Sequence, residues 1–191
     1  MLREWTSLVA LLLCASSARA QTPADNAYTE AARKQYAYIQ DLVMRSAEKA
    51  TDEVYGFKPT PEVRSFAGVL GHIADANRLL CGIAAGQTDV DTVMKDLPSF
   101  QVHEKKTTKA DLVAALKESR AYCESEFGKL TDANGRQTVK WFGNQQMPKL
   151  SMFAMATSHA WEHYGNLVTY MRLKGIVPPS SEQQPPPTSS R

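Results

Sequence analysis

The chain has 191 residues, of which 43% are hydrophobic and 22% charged, enough for one well-buried core but short for two domains. Its 22 basic and 20 acidic side chains nearly cancel, which excludes the strong charge field of nucleic-acid-binding and anionic-membrane-binding proteins. Ten glycines and ten prolines are ordinary usage and exclude collagen-like, mucin-like and wholly disordered chains. We therefore expect one small globular domain with no nucleic-acid partner.

The first twenty residues have the pattern of an export signal. Arg3 precedes an almost entirely apolar run over 5–15, and an Ala-Arg-Ala string at 18–20 provides the small residues that a signal peptidase reads. The run is too short for a bilayer span, which takes about 20 residues. We predict a signal peptide over 1–20 that is cleaved after Ala20, a periplasmic or secreted location and no membrane attachment afterwards. Acylation of Cys14 and an uncleaved anchor are the alternatives.

Four amphipathic segments are predicted to form one helical domain over residues 21–177. In each of them apolar side chains recur at three- and four-residue steps. The predicted helices cover about 25–50, 61–85, 108–129 and 148–175. No convincing series of strands accompanies them, although residues 138–142 alternate loosely and could form a short extended stretch. This pattern favours an all-α fold, specifically a four-helix bundle.

Capping signals mark the ends of these helices. Thr22 and Thr60 are each followed by proline, the arrangement of a hydroxyl cap and a first helical residue. Thr108, with Asp111 three residues later, caps the third helix, and Gly175 ends the fourth. These signals set the predicted helix ends.

A long link, residues 86–107, separates the second and third helices. Fully extended it reaches roughly 70 Å, whereas the second helix is only about 38 Å long. The link can therefore run the whole length of the bundle and let the third helix point the same way as the second. We expect the helix order up-down-down-up.

The last residues, 178–191, have a composition unlike the rest of the chain. They contain five prolines and four serines, and no apolar side chains at helical spacing. We predict a disordered tail after the helical domain.

Three of the four histidines fall on predicted inward faces. His159 and His163 lie one turn apart on the fourth helix, in a mostly apolar stripe. His72 lies in the inward stripe of the second helix, and all three are near the middle of their helices. Midpoints of packed helices of equal length meet at the same height, so we expect the three imidazoles to converge. We interpret His103, in the polar run 101–106, as a solvated loop residue.

Three imidazoles in a dry core require an explanation, because each neutral ring has a donor and an acceptor to satisfy. A divalent metal ion takes three nitrogens at ~2.0–2.1 Å, and three protein ligands leave coordination positions open, as catalytic sites do. We predict one divalent metal ion on His72, His159 and His163, and zinc, nickel, manganese and iron all suit these ligands. Ordinary core histidines are the alternative.

Five further side chains are candidates for supporting roles. Glu162 lies to one side of the ligand face of the fourth helix. It is either a general base for a metal-bound water or a surface carboxylate without a catalytic role. Asp75 lies one turn after the histidine of the second helix, where it accepts a ring N–H or faces solvent. Asn166 and Tyr170 continue the ligand face, to orient a substrate or to make polar core contacts. Trp141 packs in the core or lines the mouth of the site.

Two cysteines, Cys81 and Cys123, follow the predicted signal peptide. They occupy comparable heights near the C-terminal ends of the second and third predicted helices. If those helices run parallel, a disulfide is geometrically feasible in an oxidising compartment. Two half-buried thiols are the alternative.

The residues around the histidines resemble a known family. The string Ser-His-Ala-Trp-Glu-His-Tyr-Gly-Asn at 158–166, continued to the Pro-Pro pair at 178–179, resembles the last helix of the DinB/YfiT-like family of bacterial metal-binding four-helix bundles. Residues 57–65 and 71–76 resemble the second helix of that family, with its single histidine. The resemblance covers about residues 25–180 and is specific at the two histidine helices.

The resemblance implies one histidine of the second helix and two of the fourth on a divalent metal ion, often nickel, zinc or manganese. By position these are His72, His159 and His163. It also implies the up-down-down-up order, and homodimers are common among such proteins. Characterised relatives include thiol-dependent transferases, a thiol-dependent isomerase and hydrolase-like members, although their thiol cofactors work in the cytosol, which argues against thiol chemistry in an exported chain. We expect a metal-dependent hydrolase or transferase for a small molecule, with a non-catalytic metal- or ligand-binding bundle as the alternative.

Overall fold

The computed structural model describes residues 26–182 of the chain. The predicted signal peptide, the predicted cap at Thr22 and residues 183–191 of the predicted tail lie outside the described residues. The described part is mostly helical, in agreement with the predicted all-α class. Within it, no helix has both the length and the apolar character needed to cross a membrane.

Seven α-helices, three short 3-10 helices and two short strands are defined between residues 26 and 182. The helices are α1 (Ala27–Lys49), α2 (Asp52–Tyr55), α3 (Phe66–Ala84), α4 (Val90–Lys95), α5 (Leu97–Phe100), α6 (Lys109–Gly128) and α7 (Lys149–Leu173). The strands, β1 (Thr138–Lys140) and β2 (Gln146–Pro148), pair antiparallel with Val139 opposite Met147. The four long helices α1, α3, α6 and α7 correspond to the four predicted segments, and β1 lies in the stretch predicted to be extended.

The helix that carries His72 begins later than predicted. The N-cap of α3 is Ser65, whose hydroxyl accepts the backbone N–H of Gly68 at 3.1 Å, and Thr60 lies in the turns before it. The backbone N–H of Phe66 donates to the carbonyl of Phe57 at 2.9 Å, which fixes the chain reversal ahead of the helix. The predicted start at Thr60 is therefore wrong, because Ser65 supplies the cap directly before the buried stripe.

The cap predicted for the third long helix is confirmed. Thr108 is the N-cap of α6, and its hydroxyl accepts the backbone N–H of Asp111 at 3.2 Å. The Asp111 carboxylate in turn accepts the Thr108 hydroxyl at 2.6 Å. This pair ends the long link and starts the helix at the predicted residue.

The long helices enclose a core made of two clusters of buried apolar side chains. Each of α1 and α3 packs against both α6 and α7. Lys109, in the first turn of α6, donates to the carbonyl of Glu48 near the end of α1, and Arg33 of α1 donates to the carbonyl of Phe127 near the end of α6. Fully buried members of the core include Ile39, Phe66, Leu70, Ile73, Leu112 and Leu116. The histidines of α3 and α7 thus belong to two helices in direct contact.

Cys81 of α3 and Cys123 of α6 form a disulfide, so of the two alternatives the bridged form is the one in the structure. Their Cα atoms lie 5.4 Å apart, within the usual range for a disulfide. Both residues are fully buried in the core. The bond joins two long helices that are separated by the whole 86–107 link.

The link itself is folded against the bundle rather than freely spanning it. It contains α4, in which Val90 and Val93 are buried, and α5. After α5 the loop at 101–106 crosses α3. This crossing determines the surroundings of His72.

Residues 178–182, which the sequence assigned to the disordered tail, pack on the bundle. The backbone N–H of Ser180 donates to the Tyr164 hydroxyl at 3.0 Å, and the Glu182 carboxylate pairs with Lys49 of α1 at 2.7 Å. The prolines at 178 and 179 are buried. The prediction of disorder is wrong for these five residues, because two prolines lower the entropy cost of ordering and the carboxylate meets a cation of α1.

Candidate metal centre

Three histidines from two helices meet at one point in the structure. His159 Nε2 lies 3.2 Å from His72 Nε2 and 3.1 Å from His163 Nε2, and the His72 and His163 ring centroids are 4.7 Å apart. His72 is on α3, and the pair lies one turn apart on α7, the helix packed against it. The structure therefore brings together the three residues named from the sequence, and they could hold a metal ion.

The separations of the ring nitrogens suit a shared ion. Two ligands about 2.1 Å from one ion lie about 3.0–3.4 Å apart when the angle between them is about 90–109°. The two Nε2 separations, 3.1 and 3.2 Å, fall in this interval. Three nitrogen donors that meet this closely fit a divalent ion with further positions left for a substrate or water.

Burial keeps the three rings neutral. His163 is 8% exposed, and His72 and His159 are half-buried. Desolvation lowers the pKa of all three, and the pKa of His159, which also faces the other two rings, falls to about 4. Because the neutral imidazole is the form that binds metal, the cluster is ready for an ion at neutral pH.

Glu104, in the loop after α5, contacts the outer nitrogen of His72. Its Oε2 lies 3.3 Å from His72 Nδ1 and has no hydrogen-bond partner of ordinary geometry between residues 26 and 182. Its Oε1 accepts Arg64 Nε at 2.6 Å. The negative charge beside Nδ1 favours the tautomer that carries its proton there, which leaves the Nε2 lone pair facing the other histidines. Sequence reasoning missed Glu104, because its distance from His72 along the chain gives no signal of contact.

Of the two roles predicted for Asp75, neither is found: it does not accept a ring N–H and does not face solvent. It holds the loop that carries Glu104 instead. Its carboxylate accepts the backbone N–H of His103 at 3.0 Å and that of Glu104 at 2.9 Å. The side chain is 6% exposed, so these bonds are shielded from water. Asp75 thus acts on His72 indirectly, through the position of the Glu104 backbone.

Gly71 lets the loop backbone lie directly on α3. A Cβ at this position would lie 2.2 Å from the carbonyl oxygen of His103 and 2.7 Å from the Cα of Glu104. Real Cβ atoms essentially never approach other atoms so closely, so the crossing requires glycine. The glycine directly before His72 therefore permits the contact between the histidine and Glu104.

His103 is buried, so its interpretation as a solvated loop residue is wrong. It is 9% exposed, although it stands in a polar stretch of sequence. The physical reason is the anchoring just described: Asp75 binds its backbone N–H and Gly71 admits its backbone carbonyl.

The other candidates on α7 have different environments. The Asn166 side-chain nitrogen lies 3.3 Å from His163 Nδ1, and a half-turn of the amide places its oxygen there to accept a ring N–H. The Tyr170 hydroxyl donates to the carbonyl of Arg64 at 3.1 Å, which is a polar contact within the fold. Glu162 is exposed on α7. Asn166 is thus the one of these three that touches a histidine of the cluster.

A cavity of about 280 Å³ opens beside the cluster. His72 and His159 form one part of its wall. The remaining lining comes from α3, α5, α7 and the strand region and comprises Asp75, Ala76, Leu79, Leu80, Leu97, Phe100, Gln101, Trp141 and Met155. Trp141 therefore lines the site, and Glu162 is not among the lining residues. A small molecule in this cavity would contact two of the three histidines.

Comparison with known proteins assigns the chain to a family. The profile of the DinB superfamily matches residues 35–167, a range that includes all three histidines. The chain belongs to the DinB superfamily. This membership agrees with the resemblance seen around the histidines in the sequence. No curated protein matches this DinB-superfamily chain at a significant level.

Solved structures of DinB-like proteins share the fold. A DinB-like protein from Bacillus cereus ATCC 10987 is similar with a TM-score of 0.63 and 16% identity, over 78% of this chain and 95% of that one. The DinB-like protein YjoA from Bacillus subtilis has a TM-score of 0.61 and 17% identity, over 84% of this chain and 99% of that one. A mycothiol-dependent maleylpyruvate isomerase has a TM-score of 0.59 and 12% identity, over 73% of this chain and 60% of that one. At such identities these likenesses concern the fold alone.

Proposed function

We propose that this DinB-superfamily chain binds one divalent metal ion through His72, His159 and His163 and acts on a small molecule as a metal-dependent hydrolase or transferase. The observation that carries the proposal is the approach of three Nε2 atoms, with separations of 3.1 and 3.2 Å, beside a cavity of about 280 Å³. A mycothiol-dependent isomerase has the same fold, so the fold is compatible with an enzymatic role. A divalent ion supplies Lewis acidity and open coordination positions.

Different residues of this chain have different roles in such a site. Glu104 orients His72, and Asn166 orients His163, so that both rings present Nε2. The partial burial of the cluster lowers the pKa of the rings, so the ligands stay neutral. The cavity holds the substrate against His72 and His159.

A second function, a non-catalytic metal or ligand binder, is favoured by one observation. Among the described residues that line the cavity, Asp75 is the single carboxylate, and its oxygens already accept backbone N–H groups of the loop. Glu162, the candidate general base, is exposed and outside the lining. A hydrolase therefore has to take its base from the ion and its water or from the substrate.

Metal content and metal-dependent turnover separate the two functions. Elemental analysis of protein purified from its native location is expected to give one divalent ion per chain. Alanine at His72, His159 or His163 is expected to remove it, whereas His103→Gln, at the fourth histidine, retains it. Hydrolase and transferase screens are then run with and without chelator. A stoichiometric ion without metal-dependent turnover supports the binder, and protein without any ion contradicts both functions.

We further propose the helix order up-down-down-up for α1, α3, α6 and α7. Its support lies in pairs of contacts. The start of α6 meets the end of α1 through Lys109 and Glu48, which suits antiparallel helices. Cys81 and Cys123 join corresponding ends of α3 and α6, which suits parallel helices. Tyr170 of α7 reaches Arg64, just before α3, while His159 reaches His72, which suits antiparallel helices.

We also propose that the chain is exported and cleaved after Ala20. The support is the apolar run over 5–15 and the disulfide between Cys81 and Cys123, since disulfides persist in oxidising compartments. Fractionation of cells followed by N-terminal sequencing tests this proposal. A mature chain that begins at Gln21 in the exported fraction is expected, and a cytosolic chain that retains residues 1–20 would contradict it.

A further inference from the structure

We propose that the cavity beside the histidines accepts a small uncharged molecule with an aromatic or branched apolar body. The inference rests on the proposed function, because it names the class of molecule on which the site acts. Most of the wall is apolar. The apolar lining consists of Ala76, Leu79, Leu80, Leu97, Phe100, Trp141 and Met155. Such a wall stabilises an apolar ligand through burial of its surface.

The charges around the cavity select against ions. No lysine or arginine is among the lining residues that belong to the described part of the chain. The nearby guanidinium of Arg64 pairs with Glu104 at 2.6 Å instead. Asp75 is the one acidic residue in this lining, and its carboxylate already accepts backbone N–H groups of the loop. An anionic substituent placed among the leucines, away from the histidines, would therefore find no cationic side chain in the wall. Because a buried charge without a partner is costly, a neutral ligand is favoured.

The polar groups of the wall indicate how the ligand is oriented. His72 and His159 give the cavity a polar end, and the amide of Gln101 offers a neutral donor and acceptor. The part of the wall that Leu97 and Phe100 of α5 contribute is apolar. A ligand therefore directs its oxygen or nitrogen atoms toward the histidines and its apolar body toward α5.

The size of the cavity limits the ligand to about one substituted ring. A dry apolar cavity of about 150 Å³ is known to accept benzene. This cavity is nearly twice that size, at about 280 Å³, and lies near the lower limit for small-molecule sites. A long chain or a dinucleotide would not fit within it.

The inference is tested with benzamide and benzoate, two probes of nearly equal shape that differ in charge. Ligand-observed NMR titrations are carried out on the purified protein, both loaded with zinc and treated with EDTA. The EDTA arm is needed because benzoate is able to coordinate an ion directly. In EDTA we expect benzamide to bind about tenfold more tightly than benzoate, because the anion loses hydration without gaining a partner.

Three variants make the test specific to the cavity. Ala76→Phe fills the space and is expected to weaken benzamide binding about tenfold or more. Leu97→Arg places a cation in the wall, on a short helix outside the four long ones, and is expected to reverse the preference toward benzoate. Met94→Phe adds the same ring at an exposed position of α4 that does not line the cavity and should leave both affinities unchanged.

The outcomes separate this inference from the proposed function. Each of three outcomes would overturn the inference. The first is that benzoate binds as tightly as benzamide in EDTA, and the second is that benzamide does not bind. The third is that Ala76→Phe and Leu97→Arg have no effect. Metal content is measured on the same samples. Benzamide binding by protein that never takes up an ion would overturn the metal-dependent function and leave the cavity assignment intact.

Discussion

Glu104 Oε2 lies 3.3 Å from Nδ1 of His72, although the two residues are on different elements and far apart in the chain. This contact ties the chemistry of α3 to the conformation of the link, because the loop that carries Glu104 is held by the backbone bonds to Asp75. The link is therefore part of the candidate metal centre as well as a connection between helices.

Removal of the Glu104 carboxylate is expected to weaken metal binding. Glu104→Ala removes the carboxylate that lies beside His72 Nδ1, and we expect the metal affinity to fall about 10–100-fold. Glu104→Gln retains a side-chain oxygen that can accept the ring N–H, so its metal affinity should fall less. Affinity is measured by competition with a chromophoric chelator. Glu118→Ala, which removes an exposed carboxylate paired with Arg78, is the control, and an unchanged affinity for Glu104→Ala would refute the role of this residue.

A side chain at Gly71 is expected to displace the loop. In Gly71→Ala the new Cβ collides with the backbone of His103, so we expect a lower melting temperature and weaker metal binding. Gly165→Ala on α7 is the matched control, because a Cβ there meets nothing within 4 Å. The free energy of unfolding of the control should rise by up to about 1 kcal/mol, because alanine has a higher helix propensity than glycine. Both are measured by thermal denaturation and chelator competition, and equal behaviour of the two variants would disprove the close approach.

Loss of the disulfide is expected to destabilise the fold without emptying the metal site. The bond between Cys81 and Cys123 closes a segment with a sequence separation of 42 residues. Chain-entropy estimates for a loop of this length give about 4 kcal/mol of stabilisation, so the double alanine variant should unfold at clearly lower denaturant concentration. Metal content, determined in parallel, is expected to stay the same. A variant as stable as the parent protein would contradict this expectation.

Asp132 is expected to give the start of α1 a pH-dependent stability. Its carboxylate accepts the hydroxyl of Thr29 at 2.6 Å and the backbone N–H groups of Tyr28 and Thr29, while the N-cap Asn26 makes no side-chain cap bond. The hydrogen bond from the Thr29 hydroxyl is the main cause of the lowered pKa of Asp132. A lowered pKa in the folded state means that the stabilisation is present above the ordinary pKa of 3.8 and is lost as the pH falls through the folded-state value.

The variant Asp132→Asn tests this pH dependence. Its free energy of unfolding is expected to be lower than that of the parent protein at neutral pH, and the difference should shrink as the pH is lowered below about 4. Denaturant titrations at several pH values measure the difference. A gap that stays constant down to about pH 2 would show that the carboxylate charge has no part in holding α1.

Periodicity predicted the four long helices and the meeting of the histidines, and capping predicted the start of α6 but not that of α3. The three- and four-residue spacing that buries one helix face also places His159 and His163 on it, and Thr108 supplies a local cap that needs no tertiary partner. These features depend on residues within one or two turns of each other. For that reason they can be read directly from the sequence.

The features that the sequence did not predict depend on distant contacts. The burial of His103 and the role of Glu104 require Gly71 and Asp75 to receive a loop from elsewhere in the chain. The ordering of 178–182 likewise depends on α1 and α7. Polar composition predicts solvation at such positions, since periodicity carries no information about which distant backbone will cover them.

Two cross-links connect α3 to its neighbours in the bundle. One is the covalent bond from Cys81 to α6, and the other is the contact of His72 with α7, across 87 residues of sequence, which an ion would turn into a coordinate bond. With the ion bound, α3 is linked to α6 by the disulfide and to α7 by the ion. A reductant breaks the first link, and a chelator breaks the second. Treatment with both agents is accordingly expected to lower resistance to proteolysis further than either agent alone.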